Sequence, residues 1–184
     1  MKTIHVLGLG PTLANYKPDG NTTIGVNDIW KHHKTDYVVC VDVPKRFTPE
    51  RLKVIVECYP LTFMTCYPGA WETLRNVQGL KLAPIRGSVD TLTNPQQICF
   101  SNNSAFVATV MAYHLGAKLI ILHGVDFTGH KDLSEPIIQK RAIGDFVKLF
   151  FALNALGVKL MVGSNDSLLS TKMPVWSSET NPED

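Results

Sequence analysis

The stretch Met1–Asn15, MKTIHVLGLGPTLAN, decides the fold. Ile4, Val6 and Leu7 sit in a short apolar run suited to a buried parallel strand. Gly8-Leu9-Gly10 breaks the run. Pro11 then suits the first position of a helix, where its missing N–H costs nothing. A strand, a glycine turn and a helix start in that order make an anion site, because glycines admit a ligand and free N–H groups point at negative charge. Gly8, Gly10, Pro11 and Thr12 are therefore candidate nucleotide-binding residues. The candidate donors are the N–H groups of Thr12 and Leu13 and the Thr12 hydroxyl. The dinucleotide fingerprint would need a third glycine where Leu13 stands, and the P-loop would need a Gly-Lys-Ser/Thr run that does not occur. On these residues alone, a less common nucleotide site and a plain strand-to-helix turn are equally open.

Composition narrows the class. A chain of 184 residues, 45% hydrophobic and 18% charged, is long enough for one domain with a real core. A net charge of +2 without lysine or arginine runs argues against nucleic acid or an anionic membrane as partner. Cys40, Cys58, Cys66 and Cys99 are scattered without metal or redox spacing, so buried free thiols are expected. There is no signal-peptide pattern and no apolar run long enough to span a membrane, so a cytoplasmic protein is expected.

Further strands are expected at 22–26, 37–41, 61–66, 118–123 and 158–162, with an edge strand near 81–83. Helices are expected after Thr48, at 105–115 behind the SNNS cap signal, and from Ser134 to Leu156, with shorter ones at 29–34 and 71–76. This alternation predicts an α/β Rossmann-like three-layer fold with a mainly parallel sheet of about six strands. Residues 1–170 are read as a single nucleotide-binding domain, and the polar stretch 171–184 as a poorly ordered tail.

Ligands of such sheets sit outside the carboxyl ends of the strands. That edge collects the Gly8–Thr12 turn, Asn27, Asp42, Asp126, Ser164 and Asn165, and the SNNS helix start can reach it with Asn103 and Ser104. Asp42 and Asp126 could hold Mg²⁺ on a nucleotide, bond a ribose, or cap loops. His130, in the loop after the 118–123 strand, is the histidine best placed for proton transfer, with Asp126 as its companion candidate. His5 and His123 lie inside strands and read as core residues, and no Ser–His–Asp pairing supports a nucleophile.

Taken together, GLGPTL, GVNDIW, VVCVD, SNNSAF, GAKLIILHGVDF and SNDSLL follow the order of motifs in the bacterial sialyltransferases of glycosyltransferase family 42. The chain resembles that family from Met1 to about Ser170. It is also similar to a related group, the flagellin-modifying nonulosonic acid transferases and the 6-hydroxymethyl-dihydropterin pyrophosphokinases. The resemblance implies that Gly8, Gly10 and Thr12 approach a cytidine monophosphate (CMP) moiety, that Asn27 contacts the nucleotide, and that Asn103 and Ser104 lie near the donor. Asp42 stands where the sialyltransferases have Asn, and Ser167 falls in their PNSLL element. The chain departs from the family between Phe127 and Ser134, where a long lid with two tyrosines and the histidine base is replaced by a short segment. The family's histidine position falls near Lys140, and no tyrosine lies between Phe127 and Ser170.

Three functions follow as expectations. The first is a glycosyltransferase that uses a CMP-activated sugar acid and needs no metal. The second is a Mg²⁺-ATP-dependent pyrophosphokinase with Asp42 and Asp126 on the metal; the third is a nucleotide-binding module without catalysis. A nucleotide or nucleotide-sugar ligand is common to all three, and a homo-oligomer is expected from the irregular surface at 68–97.

Overall fold

The computed structural model describes residues 1–57, 62–128 and 136–177. Seven strands form one sheet: β1 (Thr3–Leu7), β2 (Thr22–Val26), β3 (Tyr37–Val39), β4 (Thr62–Thr65), β5 (Val77–Gly79), β6 (Leu119–His123) and β7 (Lys159–Val162). They are ordered β5-β4-β3-β2-β1-β6-β7, and every neighbouring pair is parallel. The architecture is the Rossmann-like α/β class read from the sequence, with seven strands where about six were expected. The added edge strand is β5. The expected edge at 81–83 makes only one bridge, Leu82 to Ile98.

Three α-helices are described: α1 (Pro49–Glu57), α2 (Ser104–His114) and α3 (Pro136–Ala155). Alternation along β1 explains the layers. Ile4 and Val6 enter the larger core under α2 and α3, while Leu7 enters a smaller core on the opposite face with Ile29, Ile55 and Trp71. Residues 104–112 of α2 are all buried, because this helix lies across the middle of the sheet. Asn103 caps it, and Gly116, at φ +86°, ends it by donating its N–H to the Tyr113 carbonyl. The opposite face is covered by α1 and by short 3₁₀ turns, including Pro11–Asn15 and Pro68–Trp71. Two expectations change here. The helix opening at Pro11 is one 3₁₀ segment, and the short helix expected at 71–76 is replaced by the turn at Pro68–Trp71.

The first part of the expected tail is ordered. Val162 donates its N–H to the Pro174 carbonyl and accepts from the Trp176 N–H, and Met173 is buried in the larger core. No helix among the described residues is long and apolar enough to cross a membrane.

The strand order positions the site. The chain moves outward from β1 to β5, then returns to place β6 on the other side of β1. The carboxyl ends of β1 and β6 therefore flank the point where the winding reverses, and a crevice opens there.

Candidate functional site

A cavity of about 640 Å³ occupies this crevice. Its floor is the contact between two loops. Gly8 donates its N–H to the His123 carbonyl at 2.7 Å, and Gly10 donates to the Gly124 carbonyl at 2.8 Å. A Cβ on Gly8 would lie 2.3 Å from the Gly124 oxygen, and one on Gly10 would lie 2.5 Å from Asp126 Oδ2. These glycines thus admit the neighbouring loop. Asp126 is buried and accepts from the Thr12 N–H at 2.7 Å and from the Thr12 hydroxyl. The same hydroxyl accepts from the Gly124 N–H at 3.1 Å. The Leu13 N–H is bound to the Gly10 carbonyl. All the donors that the sequence offered to a ligand are therefore spent inside the protein. Asp126 and Thr12 clamp the two loops together.

The walls carry the accessible polar groups. Asn27 ends β2 at φ +52°, a left-handed conformation in which asparagine is one of the few tolerated residues. Its Oδ1 accepts from the Ser104 hydroxyl at 3.3 Å, which leaves the amide NH₂ to face the cavity as a donor. Asn103 Oδ1 accepts from the N–H groups of Ala105 and Phe106, so its NH₂ is likewise uncommitted. The Asp42 carboxylate lines the cavity without a hydrogen bond from the described residues. Opposite stand Arg46, Phe47 and Arg51. Arg51 is held by the buried Asp28 carboxylate, with Nε at 3.0 Å, and lies over the Phe47 ring at 5.0 Å. Arg46 has no ion-pair partner among the described residues.

Phe127 closes one wall at φ +59°, an unfavourable conformation for a bulky residue. It is buried against Phe146, and its carbonyl accepts from Gln139 Nε2 at 2.6 Å. The segment is braced from behind by the SNDSLL stretch. Ser167 donates its hydroxyl to the Val125 carbonyl, and Leu168 donates its N–H to the Asp126 carbonyl.

Gly8, Gly10, Pro11, Asn27, Asp42, Asn103, Ser104 and Asp126 all reach the one cavity. Thr12 lies beneath its floor. Ser164 and Asn165 do not line it: they follow the edge strand β7, where Ser164 accepts from the Asp166 N–H and the Asn165 carbonyl accepts from Ser170. His130 lies outside the described residues. Arg46, Phe47 and Arg51 were not among the sequence candidates, although Arg46 and Phe47 lie in the connection after β3 and Arg51 in the first turn of α1.

His5 and His123 lie side by side on β1 and β6, with His5 Nδ1 3.0 Å from His123 Nε2 and His5 Nε2 3.1 Å from Asp19 Oδ2. Burial pushes His123 down to about 3 and also lowers His5. Burial raises the Cys40 thiol to about 12, which keeps it protonated and unreactive. No group of three or more His, Cys, Asp or Glu side chains poised to hold a metal occurs among the described residues. Of the two aspartates of the Mg²⁺ reading, both line the cavity, and both oxygens of Asp126 already accept from Thr12.

No family model matches the chain, and no curated protein matches it by sequence. Solved structures do. The sialyltransferase CstII from Campylobacter jejuni, in complex with the substrate analogue CMP-3FNeuAc, superposes with a TM-score of 0.60 at 18% identity, covering 95% of this chain and 86% of that one. CstII in complex with a trisaccharide acceptor and CMP gives 0.59 at 17% identity, covering 95% and 86%. The α-2,3-sialyltransferase from Campylobacter jejuni in apo form gives 0.58 at 16% identity, covering 96% and 80%. The chain has the fold of these sialyltransferases over nearly all of its length.

Proposed function

We propose that the cavity binds a CMP-activated sugar acid and that the protein is a sialyltransferase-like glycosyltransferase with a reduced lid. The observation that carries this reading is the cavity at the β1/β6 crevice, with the Asn27 amide fixed by Ser104 and two arginines on the facing wall. Arg46 is the group suited to the phosphate, since Arg51 is already paired with Asp28. Asp42 is an acceptor, suited to a ribose hydroxyl or to the amino group of cytosine. The fold shared with sialyltransferases solved with CMP supports the cytidine nucleotide over a purine one.

In this reading the acceptor hydroxyl oxygen bonds to the anomeric carbon of the sugar acid. The bond from that carbon to the phosphate oxygen breaks, and CMP leaves with the electron pair as a phosphate monoester. The acceptor proton passes to a base, for which His130 is proposed because Thr128, two residues before it, lines the cavity. No metal is required, because the leaving group carries a single phosphate and a guanidinium faces it. Residues 1–170 are proposed as the working domain. A homo-oligomer is a separate proposal, tested by light scattering in solution.

Isothermal titration with CMP and with ATP, each with and without Mg²⁺, tests the reading. The expected result is saturable CMP binding that Mg²⁺ leaves unchanged and that Arg46→Gln weakens about tenfold, the loss of one charge-assisted contact. ATP binding that requires Mg²⁺ would move the assignment to the pyrophosphokinase. Binding without turnover of any CMP-sugar would leave the non-catalytic module. Absence of any nucleotide binding would refute all three.

A further inference from the structure

A second cavity, about 210 Å³ in volume, adjoins the first through Asn102 and Asn103, which line both. Its far wall is the exposed start of α3. Ile137, Ile138 and Ala142 supply an apolar side there, and Arg141 stands beside them. Arg86 faces it from the loop before α2.

Ser101 and Asp145 bring polar side chains to the lining of this cavity. Ser101 is buried to 4% exposure, lines the cavity, and its hydroxyl has no hydrogen-bond partner among the described residues. Asp145 is 8% exposed, and its nearest cation is Lys148 Nζ at a loose 3.8 Å. Arg86 and Arg141 both act on Asp145 through their charge, yet neither forms an ion pair with it. The loop also comes close here: Gly87 sits at φ +75°, and a Cβ on it would lie 2.7 Å from Asp145 Oδ1. Any side chain at position 87 would press on that carboxylate.

We propose that this second cavity is a binding site for a small organic anion with an apolar body, its phosphate or carboxylate held by Arg86 and Arg141 and its apolar part against Ile137, Ile138 and Ala142. Burial pushes the Asp145 carboxyl up while Lys148, Arg86 and Arg141 each pull it down, so three cations act on one carboxylate here, and the two guanidiniums line the cavity without an ion-pair partner among the described residues. The unpaired Ser101 hydroxyl supplies a further contact to the anion or to a hydroxyl beside it. That the occupant is the second substrate rests on the nucleotide reading of the larger cavity; that the cavity takes an anion does not.

The test is a titration of the full chain with phenyl phosphate, benzoate and neutral benzyl alcohol, followed by amide chemical shifts. The two anions separate a phosphate from a carboxylate source. The expected result is saturable shifts at Gly87, Asn102 and Ala142 with at least one anion. Binding should weaken at least tenfold in the double variant Arg86→Gln/Arg141→Gln and severalfold in Ser101→Ala, while benzyl alcohol should not distinguish the proteins. The proposal is overturned if neither anion gives saturable shifts. It is equally overturned if the double variant binds as well as wild type, or if the shifts fall only at Gly10 and Asn27 in the larger cavity. Amide spectra establish that the variants are folded. CMP added to the same samples keeps the two readings apart: its failure to bind wild type sinks the nucleotide assignment and leaves the anion result standing.

Discussion

Replacing Thr12 by valine separates two roles for the opening turn. If Thr12 donates to a ligand, Thr12→Val should weaken nucleotide binding and hardly change stability. The structure gives the opposite expectation. The hydroxyl donates to Asp126 and accepts from the Gly124 N–H at 3.1 Å, all within a buried junction. Valine keeps the shape and branching but leaves a carboxylate short of a donor and a buried N–H without an acceptor. The bond to a charged group is worth about 1.5–3 kcal/mol and the orphaned N–H about 1 kcal/mol more. The expected loss is therefore about 2.5–4 kcal/mol, a large share of the stability of a domain this size. It corresponds to a fall in Tm of roughly 5–15 °C. Urea unfolding and calorimetry measure the loss, and Thr12→Ser, which keeps the hydroxyl, should recover most of it. CMP affinity measured well below the lowered Tm should change less than about threefold, because Thr12 lies beneath the cavity floor. A variant as stable as wild type that binds CMP tenfold more weakly would refute the clamp and restore Thr12 as a ligand donor.

Gly10→Ala tests the same junction by steric means: its Cβ would meet Asp126 Oδ2 at 2.5 Å and the Gly124 oxygen at 2.9 Å, so a loss of about 1–3 kcal/mol in urea unfolding is expected. Asn27→Gly should keep the backbone, since glycine adopts the left-handed conformation freely, yet remove the amide; a near-normal Tm with CMP binding weakened about tenfold is the expected pair of results, and unchanged affinity would remove Asn27 from the site. Acid should destabilise the protein through the buried histidines. The folded value of His123 is about 3, below its ordinary one, so the unfolded chain takes up the proton first. The stability is complete above about pH 6.5 and is lost as pH falls toward that folded value, at about 1.4 kcal/mol per pH unit. Its burial is opposed only by Asp19, while His5 and His33 add like charge, so urea unfolding at pH 7.5 and 4.5 should differ by about 2–3 kcal/mol from this residue. A flat profile would contradict the buried neutral pair.

The fold was legible because it rests on local signals. Apolar runs ending at Gly8, Asn27 and Gly124 mark β1, β2 and β6, and SNNS marks the start of α2. β5 was missed because Val77–Gly79 is a three-residue edge strand with two exposed positions, too short to show a period. The opening helix was overestimated because Pro11 signals a start but nothing signals length. In the site, residues at strand ends were placed on the correct edge by topology alone, whereas their partners were not. Asp126 and Thr12 are 114 positions apart, and no spacing rule relates them.

The glycine turn illustrates that difference. The motif of strand, glycines and helix start is shared by turns that hold an anion and by turns that hold another loop, since both need backbone approach without a Cβ. What distinguishes them is whether a carboxylate of the protein already occupies the donors. Here Asp126 takes the place an anionic ligand would have taken against Thr12, which makes the turn a fixed floor. The walls, by contrast, keep polar groups of Asn27, Asp42 and Arg46 uncommitted. A site divided in this way can change its ligand by altering the walls after β2 and β3 while the floor between β1 and β6 stays the same. The likeness to the solved sialyltransferases, at 16–18% identity, is accordingly one of fold.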